Sequence, residues 1–222
     1  HLSDAFITFM MWYMHVVSAV TLTSSAGVVY LMLTKTPRHG KQLVKYLLLV
    51  QFFITLNDFV LGVLLCAIPL FPLPAGLCEG LLCRMGLPGH SGMILMFFSL
   101  GYVAASIVFC FHNKHNAVVE LAKYRQLPPV VFRGFLLCAV TLPCVIFIFG
   151  YTATGDVAME YILKEFPDYL WIFSSSRDVI AYSFTSNLPL VTAVYVTVAG
   201  GMTLIVSLCL FFVAHTFHLL SR

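Results

Sequence analysis

The sequence predicts an all-α membrane protein with five transmembrane helices and its N-terminus outside the cell. Hydrophobic residues make up 60% of the 222 residues and charged residues only 9%, whereas a soluble domain carries about 25% charged residues. The apolar residues form segments long enough to cross a hydrocarbon core about 30 Å thick. The basic residues are concentrated in alternate loops, which is typical of multi-pass membrane proteins.

Five apolar segments are the predicted spans. They cover about residues 5–33, 46–68, 91–111, 135–151 and 188–220. Backbone polar groups in lipid must be hydrogen-bonded internally, and none of these segments alternates polar and apolar residues as a membrane barrel does. All five are therefore predicted to be helices, with residues 1–222 forming a single transmembrane domain. We find no internal repeat of the kind that transporter halves show.

The loops predict the orientation. The basic residues on one side are Lys35, Arg38, Lys41, Lys45, Lys114, Lys123, Arg125, Arg133 and Arg222. The other side carries only Arg84, Lys164 and Arg177. Because short loops rich in Lys and Arg stay in the cytoplasm, the first side is predicted to be inside and the N-terminus outside.

The second span, Tyr46 to Ile68, contains one charged residue, Asp58. A carboxylate inside a span costs at least about 2.5 kcal/mol unless it is paired or hydrated. Thr55 precedes Asp58 by three residues and Gly62 follows it by four, so the three share one face of a helix. The sequence predicts an interior polar site at Asp58 and Thr55, which acts either as a switch or as a satisfied structural acid.

The sequence contains no acid–base pair, activated nucleophile, phosphate-binding loop or metal-ligand set that we can recognise. We therefore predict no enzyme activity, no catalytic residues and no cofactor. The pairs His112/His115 and His215/His218 have helical spacing, but neither has a third ligand nearby, and no metal site is predicted. No run of like charges is long enough to indicate nucleic-acid binding.

Several short stretches of the chain form recognisable motifs. The first is KTPRH (35–39), followed by KQLVKYLLLVQ. The others are PLFPLPAG (69–76) with CEGLLC, FCFHNKH (109–115), ELAKYRQLPP (120–129) and FPDYLWIF (166–173). In their order and spacing these stretches resemble nematode serpentine chemoreceptors, best class I, with class H as a near relative, and the first resembles the first cytoplasmic loop of that family. The resemblance extends from about residue 9 to the end of the chain.

The resemblance implies a G-protein-coupled chemosensory receptor that binds small chemical ligands. It implies a multi-pass protein of the plasma membrane, in sensory neurons, with a heterotrimeric G protein as partner. The chain would hold the first five helices of a seven-helix GPCR-like bundle and be incomplete at its C-terminus, lacking the last two. The alternatives are a genuine five-span protein, such as a transporter or channel subunit, and a truncated receptor product that does not signal.

Three sets of candidate residues follow from this comparison. The candidate ligand pocket lies on the third span, since ligand sites in such bundles lie between helices, and ordinary helix packing is the alternative. Its residues are Met93, Met96, Phe97, Tyr102 and Ser106. The candidate G-protein-facing residues are Arg38, His112, Lys114 and His115, and anchoring near anionic lipid is the alternative.

Cys78 and Cys83, in the first outer loop, are the third set, a candidate outer disulfide, with Cys66 as another candidate near the outer surface. Many receptors join the top of the third span to the second outer loop by a disulfide. Residues 152–187 contain no cysteine, so that bridge cannot form within this chain.

Overall fold

The structure is a computed structural model. It describes residues 3–37, 40–70, 75–121, 134, 137, 140, 141, 144, 160, 164–167, 178–181 and 188–220. The helices are α1 (Asp4–Lys35), α2 (Lys41–Phe59), α3 (Leu81–Arg84), α4 (Gly89–Leu121) and α5 (Leu188–Leu220). The strands are β1 (Ala67–Pro69), β2 (Ala75–Cys78) and β3 (Asp178–Ala181).

Four helices in the described part of the chain are long and apolar enough to cross a membrane. They are Asp4–Lys35, Leu43–Leu65, Gly89–Leu121 and Ala199–His218. They overlap the first, second, third and fifth predicted spans, and the helical membrane fold is confirmed. The described residues of the fourth predicted span are helical and comprise Leu137, Val140, Thr141 and Cys144, with Gly134 directly before it. The rest of that span lies outside the described residues.

Two of these helices differ from their predicted bounds. Helix α4 continues to Leu121, past the predicted end at residue 111, because hydropathy marks where a segment leaves the hydrocarbon and not where the helix stops. The second span ends as a helix at Leu65, before the predicted end at Ile68. Its last apolar residues instead form strand β1, a change that hydropathy alone does not detect.

Helix α2 lies at the centre of the described bundle. It packs against both α1 and α4, and α5 packs against α4. On α1 the buried residues are Ile7, Ser18 and Ser25. Small side chains at a helix contact let two backbones approach closely, and their hydroxyls satisfy polar groups on the facing helix.

The faces of α1 and α5 that point away from the helix bundle are apolar. Trp12 is 63% exposed on α1 and Phe217 is 69% exposed on α5. Soluble proteins rarely expose contiguous apolar patches of more than a few hundred Å². Apolar faces of this size are stable in contact with hydrocarbon and not with water, so these helices fit a lipid bilayer.

A small antiparallel sheet covers the outer end of the bundle, and the sequence analysis did not predict it. Its strand order is β1-β2-β3, with Gly76 of β2 opposite Pro69 of β1 and Ile180 of β3. Proline is tolerated in β1 because an edge strand does not need every amide. Since β3 belongs to the loop before α5, the sheet joins the two outer loops.

Two clusters of buried side chains attach the sheet to the helices. One contains Ile7 of α1 with Ile68, Leu70, Leu77 and Ala181. The other contains Leu65, Cys78 and Ile180, with Met93 and Met96 of α4 packed against it. The sheet therefore links the second outer loop to the top of α4. Many receptors make this link with a disulfide, which residues 152–187 cannot form because they contain no cysteine.

Candidate functional site

The second span changes geometry near its outer end. Residues Val60–Leu65 form a π-helix, and the amide of Cys66 donates to the carbonyl of Leu61 at 2.9 Å, five residues back. In an α-helix that amide would donate to Gly62, four residues back. The carbonyl of Gly62 therefore loses its usual partner, which is costly within a membrane.

Helix α1 supplies side-chain donors to the backbone of this segment. His15 Nδ1 lies 3.0 Å from the carbonyl oxygen of Gly62, and since that oxygen only accepts, Nδ1 carries the proton. Ser18 Oγ donates to the carbonyl oxygen of Asp58 at 3.3 Å. The two bonds fix α1 against the π-helical segment. π-Helical turns are frequent at functional sites.

Gly62 makes this contact sterically feasible. A Cβ atom at position 62 would overlap Ser18 Oγ and lie 2.8 Å from Ser18 Cβ. Real Cβ atoms essentially never come that close, so any side chain at this position requires α1 and α2 to separate. We call His15, Ser18, Asp58 and Gly62 the α1–α2 polar contact.

Asp58 contacts α1 through its backbone carbonyl, which accepts from Ser18, and its side chain is half-buried. Thr55, the other predicted member, donates to the carbonyl of Gln51 at 2.8 Å, and Gln51 Nε2 donates to Ser25 Oγ of α1 at 2.9 Å. Within the described part of the chain, no hydrogen bond or ion pair to the Asp58 carboxylate is present. Thr55 is thus connected to α1 through Gln51, and Asp58 through its backbone carbonyl.

A second polar contact joins α2 to α4. Ser99 Oγ, a buried hydroxyl, donates to Asn57 Oδ1 at 2.8 Å. Phe53, one turn further inward on α2, stacks on Tyr102 with ring centroids 5.2 Å apart. The Tyr102 hydroxyl lies 3.8 Å from Cys144 Sγ, in the fourth predicted span. Three predicted spans therefore converge at Tyr102.

The sequence analysis missed most of these partners. Asn57 is adjacent to Asp58 but was not singled out, and Ser99 was passed over within the third span. A signal for the α1 partners did exist. His15, Ser18 and Ser25 recur at intervals of three and seven residues, which places them on one face of a helix.

The five candidate pocket residues do not form a single group. Met93 and Met96 pack against the outer sheet. Ser106 is buried and donates to the carbonyl of Val103 in its own helix at 2.7 Å. Phe97 is half-buried, and Tyr102 contacts Phe53 of α2 and Cys144 of the fourth predicted span.

The two loop cysteines are joined in the structure. Cys78 ends β2 and Cys83 lies in α3. A disulfide joins them, with their Cα atoms 6.0 Å apart. Cys66 is a buried free cysteine. Burial raises the pKa of the Cys66 thiol, Glu79 raises it further, and Arg84 opposes them. The thiol is thus held neutral beside the disulfide.

At the inner end of α4 the predicted G-protein-facing residues separate into different environments. Lys114 is exposed, whereas His112 and His115 are buried, and Arg38 lies outside the described residues. The two histidines are covered because α5 packs over them. The Phe212 ring lies 5.7 Å from the ring of His112 and 5.2 Å from that of His115. This burial differs from the exposed surface that the sequence analysis expected at both histidines.

No group of three or more His, Cys, Asp or Glu side chains in the described parts of the chain is arranged to hold a metal ion. The polar side chains between the helices instead bind backbone carbonyls and one another. Such contacts position helices relative to each other.

Long apolar helices with polar contacts between them and a sheet over one end define a helical multi-pass membrane protein. The family model described as serpentine type 7TM GPCR chemoreceptor Sri matches residues 5–222. The chain therefore belongs to this family of serpentine chemoreceptors, which confirms the resemblance found in the sequence. The family is a class of receptors and not of enzymes. Comparison with curated proteins and with solved structures gave no match.

Proposed function

We propose that the chain is a chemosensory receptor that binds a small chemical ligand between its helices and signals to a heterotrimeric G protein. The observation that carries this proposal is the family match over residues 5–222. By the same membership we place the receptor in the plasma membrane of sensory neurons. Among the predicted inner-surface residues, the exposed Lys114 on α4 is the proposed contact for the G protein.

The contacts along α4 support the transmission of a conformational change from the outer side of the bundle to the inner side. The helix has 33 residues and is therefore about 50 Å long. Its outer end packs against the sheet through Met93 and Met96, its middle bonds to α2 through Ser99, and its inner end packs against Phe212 of α5. A ligand that displaces one of these contacts changes the position of a helix that also reaches the inner surface.

We place the ligand beside Tyr102. This side chain contacts Phe53 of α2 and Phe98 of its own helix, with ring centroids 5.2 Å and 4.9 Å apart. Its hydroxyl faces Cys144. An aromatic surface with one polar group provides both apolar contact area and orientation for a small ligand.

Replacing Tyr102 with alanine tests the proposed ligand site. A panel of volatile and water-soluble compounds is applied to cells expressing the chain with a G protein, and nucleotide exchange on the G protein is measured. For an active compound, Tyr102→Ala should raise the half-maximal concentration at least about tenfold, because about 1.4 kcal/mol of binding free energy is one factor of ten. Tyr30→Ala, at an exposed position on α1, is the matched control and should leave it unchanged.

Two results would contradict the proposal. An active compound with equal potency on Tyr102→Ala and wild type would show that the ligand does not bind beside Tyr102. Solute uptake or ionic current that depends on the chain, without nucleotide exchange, would instead identify a transporter or channel subunit.

We also propose that Asp58 is an interior switch whose carboxylate is hydrated within the bundle. Asp58→Asn keeps the size of the side chain and removes the charge, and the backbone bond from Ser18 remains available. We expect weaker signalling with unchanged folding, measured as nucleotide exchange at equal surface expression. Normal surface expression combined with a normal ligand response would show that Asp58 is not a switch.

A further inference from the structure

We propose that His115 and His215 form a proton-sensitive latch that holds α4 against α5 at the inner end of the bundle. Only the effect of the latch on signalling rests on the proposed function, because a contact between these helices would control the shape of the inner surface that a G protein binds. The latch itself is a property of the described geometry. Its closed form holds one proton between the two facing nitrogens.

The two rings are joined by a direct hydrogen bond between helices. His115 Nε2 lies 2.7 Å from His215 Nδ1, and the ring centroids are 4.9 Å apart. Such a bond needs a proton on one of the two facing nitrogens and a lone pair on the other. When both facing nitrogens carry protons the bond is lost and the two N–H groups repel each other.

His115 is poorly placed to accept a positive charge. Its side chain is 2% exposed, and its other nitrogen, Nδ1, is buried with no hydrogen-bond partner among the described residues. If His115 donates from Nε2, Nδ1 carries only a lone pair. A proton added there would leave the bond to His215 in place but would create a buried cation. Its new N–H would have no acceptor among the described residues, which disfavours the closed form.

Among the described residues, the groups around the pair offer no compensating negative charge. From α4 itself, His112 faces His115 one turn earlier, and both Lys114 and Glu120 are exposed. The Phe212 ring of α5 contacts the rings of both His112 and His115. A proton on His112 would add like charge beside the latch.

The described helices α2 and α5 also supply no carboxylate near the latch. Helix α5 contains no Asp or Glu in Leu188–Leu220, and His218, one turn after His215, is exposed. Helix α2 also packs against α4, and its inner-end charges, Lys41 and Lys45, are exposed. Protonation therefore disfavours the closed latch, and acidification of the inner side should open it.

The latch is tested by measuring the distance between the two helices directly. Spin labels are attached to cysteines introduced at Ala117 of α4 and Phe217 of α5, both exposed, in a chain whose free native cysteines are replaced by serine. The purified chain is placed in lipid nanodiscs, and the label distances are recorded from pH 8 to pH 5.5. The experiment needs no ligand and no G protein, so its failure is distinguishable from failure of the proposed function.

We expect a single short distance at pH 8 and a growing longer component at lower pH. Each proton taken up on opening changes the ratio of open to closed by up to about tenfold per pH unit. His115→Gln keeps a neutral donor near Nε2 and should abolish the pH dependence. His215→Asn, which keeps a neutral polar group near Nδ1, repeats the test if the first variant does not fold. His218→Gln, one turn away, should retain the wild-type response.

A distance distribution that stays the same from pH 8 to pH 5.5 in the wild-type latch would overturn the proposal. So would an unchanged pH response in His115→Gln or His215→Asn. A response lost in His218→Gln would assign the proton to the exposed histidine instead.

Discussion

Gly62→Ala is expected to destabilise the folded chain by about 1–3 kcal/mol, the usual cost of overpacking a close contact. The added Cβ would overlap Ser18 Oγ, so α1 must move away from α2. That movement lengthens the bonds from Ser18 to Asp58 and from His15 to Gly62. Each such interhelical bond contributes about 0.6 kcal/mol in a membrane protein, so the losses add to the steric cost.

Gly27→Ala provides the matched control. Gly27 lies within α1, and no atom lies within 4 Å of a Cβ built there. Alanine is favoured over glycine in a helix by about 1 kcal/mol, so this variant should be neutral or more stable. The measurement is thermal unfolding of the purified chain in detergent, together with its amount at the cell surface. Equal stability of Gly62→Ala and Gly27→Ala would contradict the close contact.

A compensating variant separates steric overlap from any other effect of the new methyl group. Ser18→Gly removes the side-chain atoms that the Cβ at position 62 would meet. Gly62→Ala combined with Ser18→Gly should therefore recover part of the lost stability, although the Ser18–Asp58 bond is absent. Additive losses in the double variant would show that the two positions are not in contact.

The spans were predictable because hydropathy depends on composition over about 20 residues. Leu188–Leu220 was predicted with the bounds that the structure shows. Helical periodicity likewise predicts that Asp58 and Thr55 share one face, since residues three and four apart lie together on a helix. The family was recognisable because its loop motifs occur in order along the chain.

What the sequence did not reveal depends on contacts between distant segments. The pairing of β2 with β3 joins Leu77 to Val179, and neither short strand has a local pattern that identifies its partner. The π-helical geometry before Cys66 depends on a donor from α1, His15, to receive the freed carbonyl. The burial of His115 depends on the packing of α5, 100 residues further along the chain.

Gly80→Ala is expected to disrupt the outer sheet. Gly80 donates its amide to the carbonyl of Leu65 at 3.0 Å, and a Cβ at position 80 would overlap backbone atoms of Leu64 and Leu65. Its φ of −75° and ψ of 176° are open to any residue, so the close approach alone requires glycine. Backbone atoms cannot rotate aside as a flexible side chain does, so α3 and the end of β2 must separate from the second span.

This separation should be visible in the chemistry of the neighbouring cysteines. In the wild-type chain we expect the peptide containing Cys78 and Cys83 to remain oxidised, and the buried Cys66 to resist thiol reagents under non-denaturing conditions. In Gly80→Ala, Cys66 should react at least about tenfold faster, because its protection depends on the contacts that hold residues 65–66 against residues 79–80. Mass analysis of labelled peptides without reductant measures both quantities.

Gly86→Ala is the control in the same loop. Its φ of +82° strains an alanine by about 1 kcal/mol, but no atom lies within 4 Å of the new Cβ. It should therefore lower stability slightly and leave Cys66 protected. Equal protection of Cys66 in Gly80→Ala and Gly86→Ala would show that the sheet does not depend on the Gly80 contact. Exposure of Cys66 in Gly80→Ala alone would identify that contact as the attachment of the outer sheet to the second span, and hence of the second outer loop to the bundle.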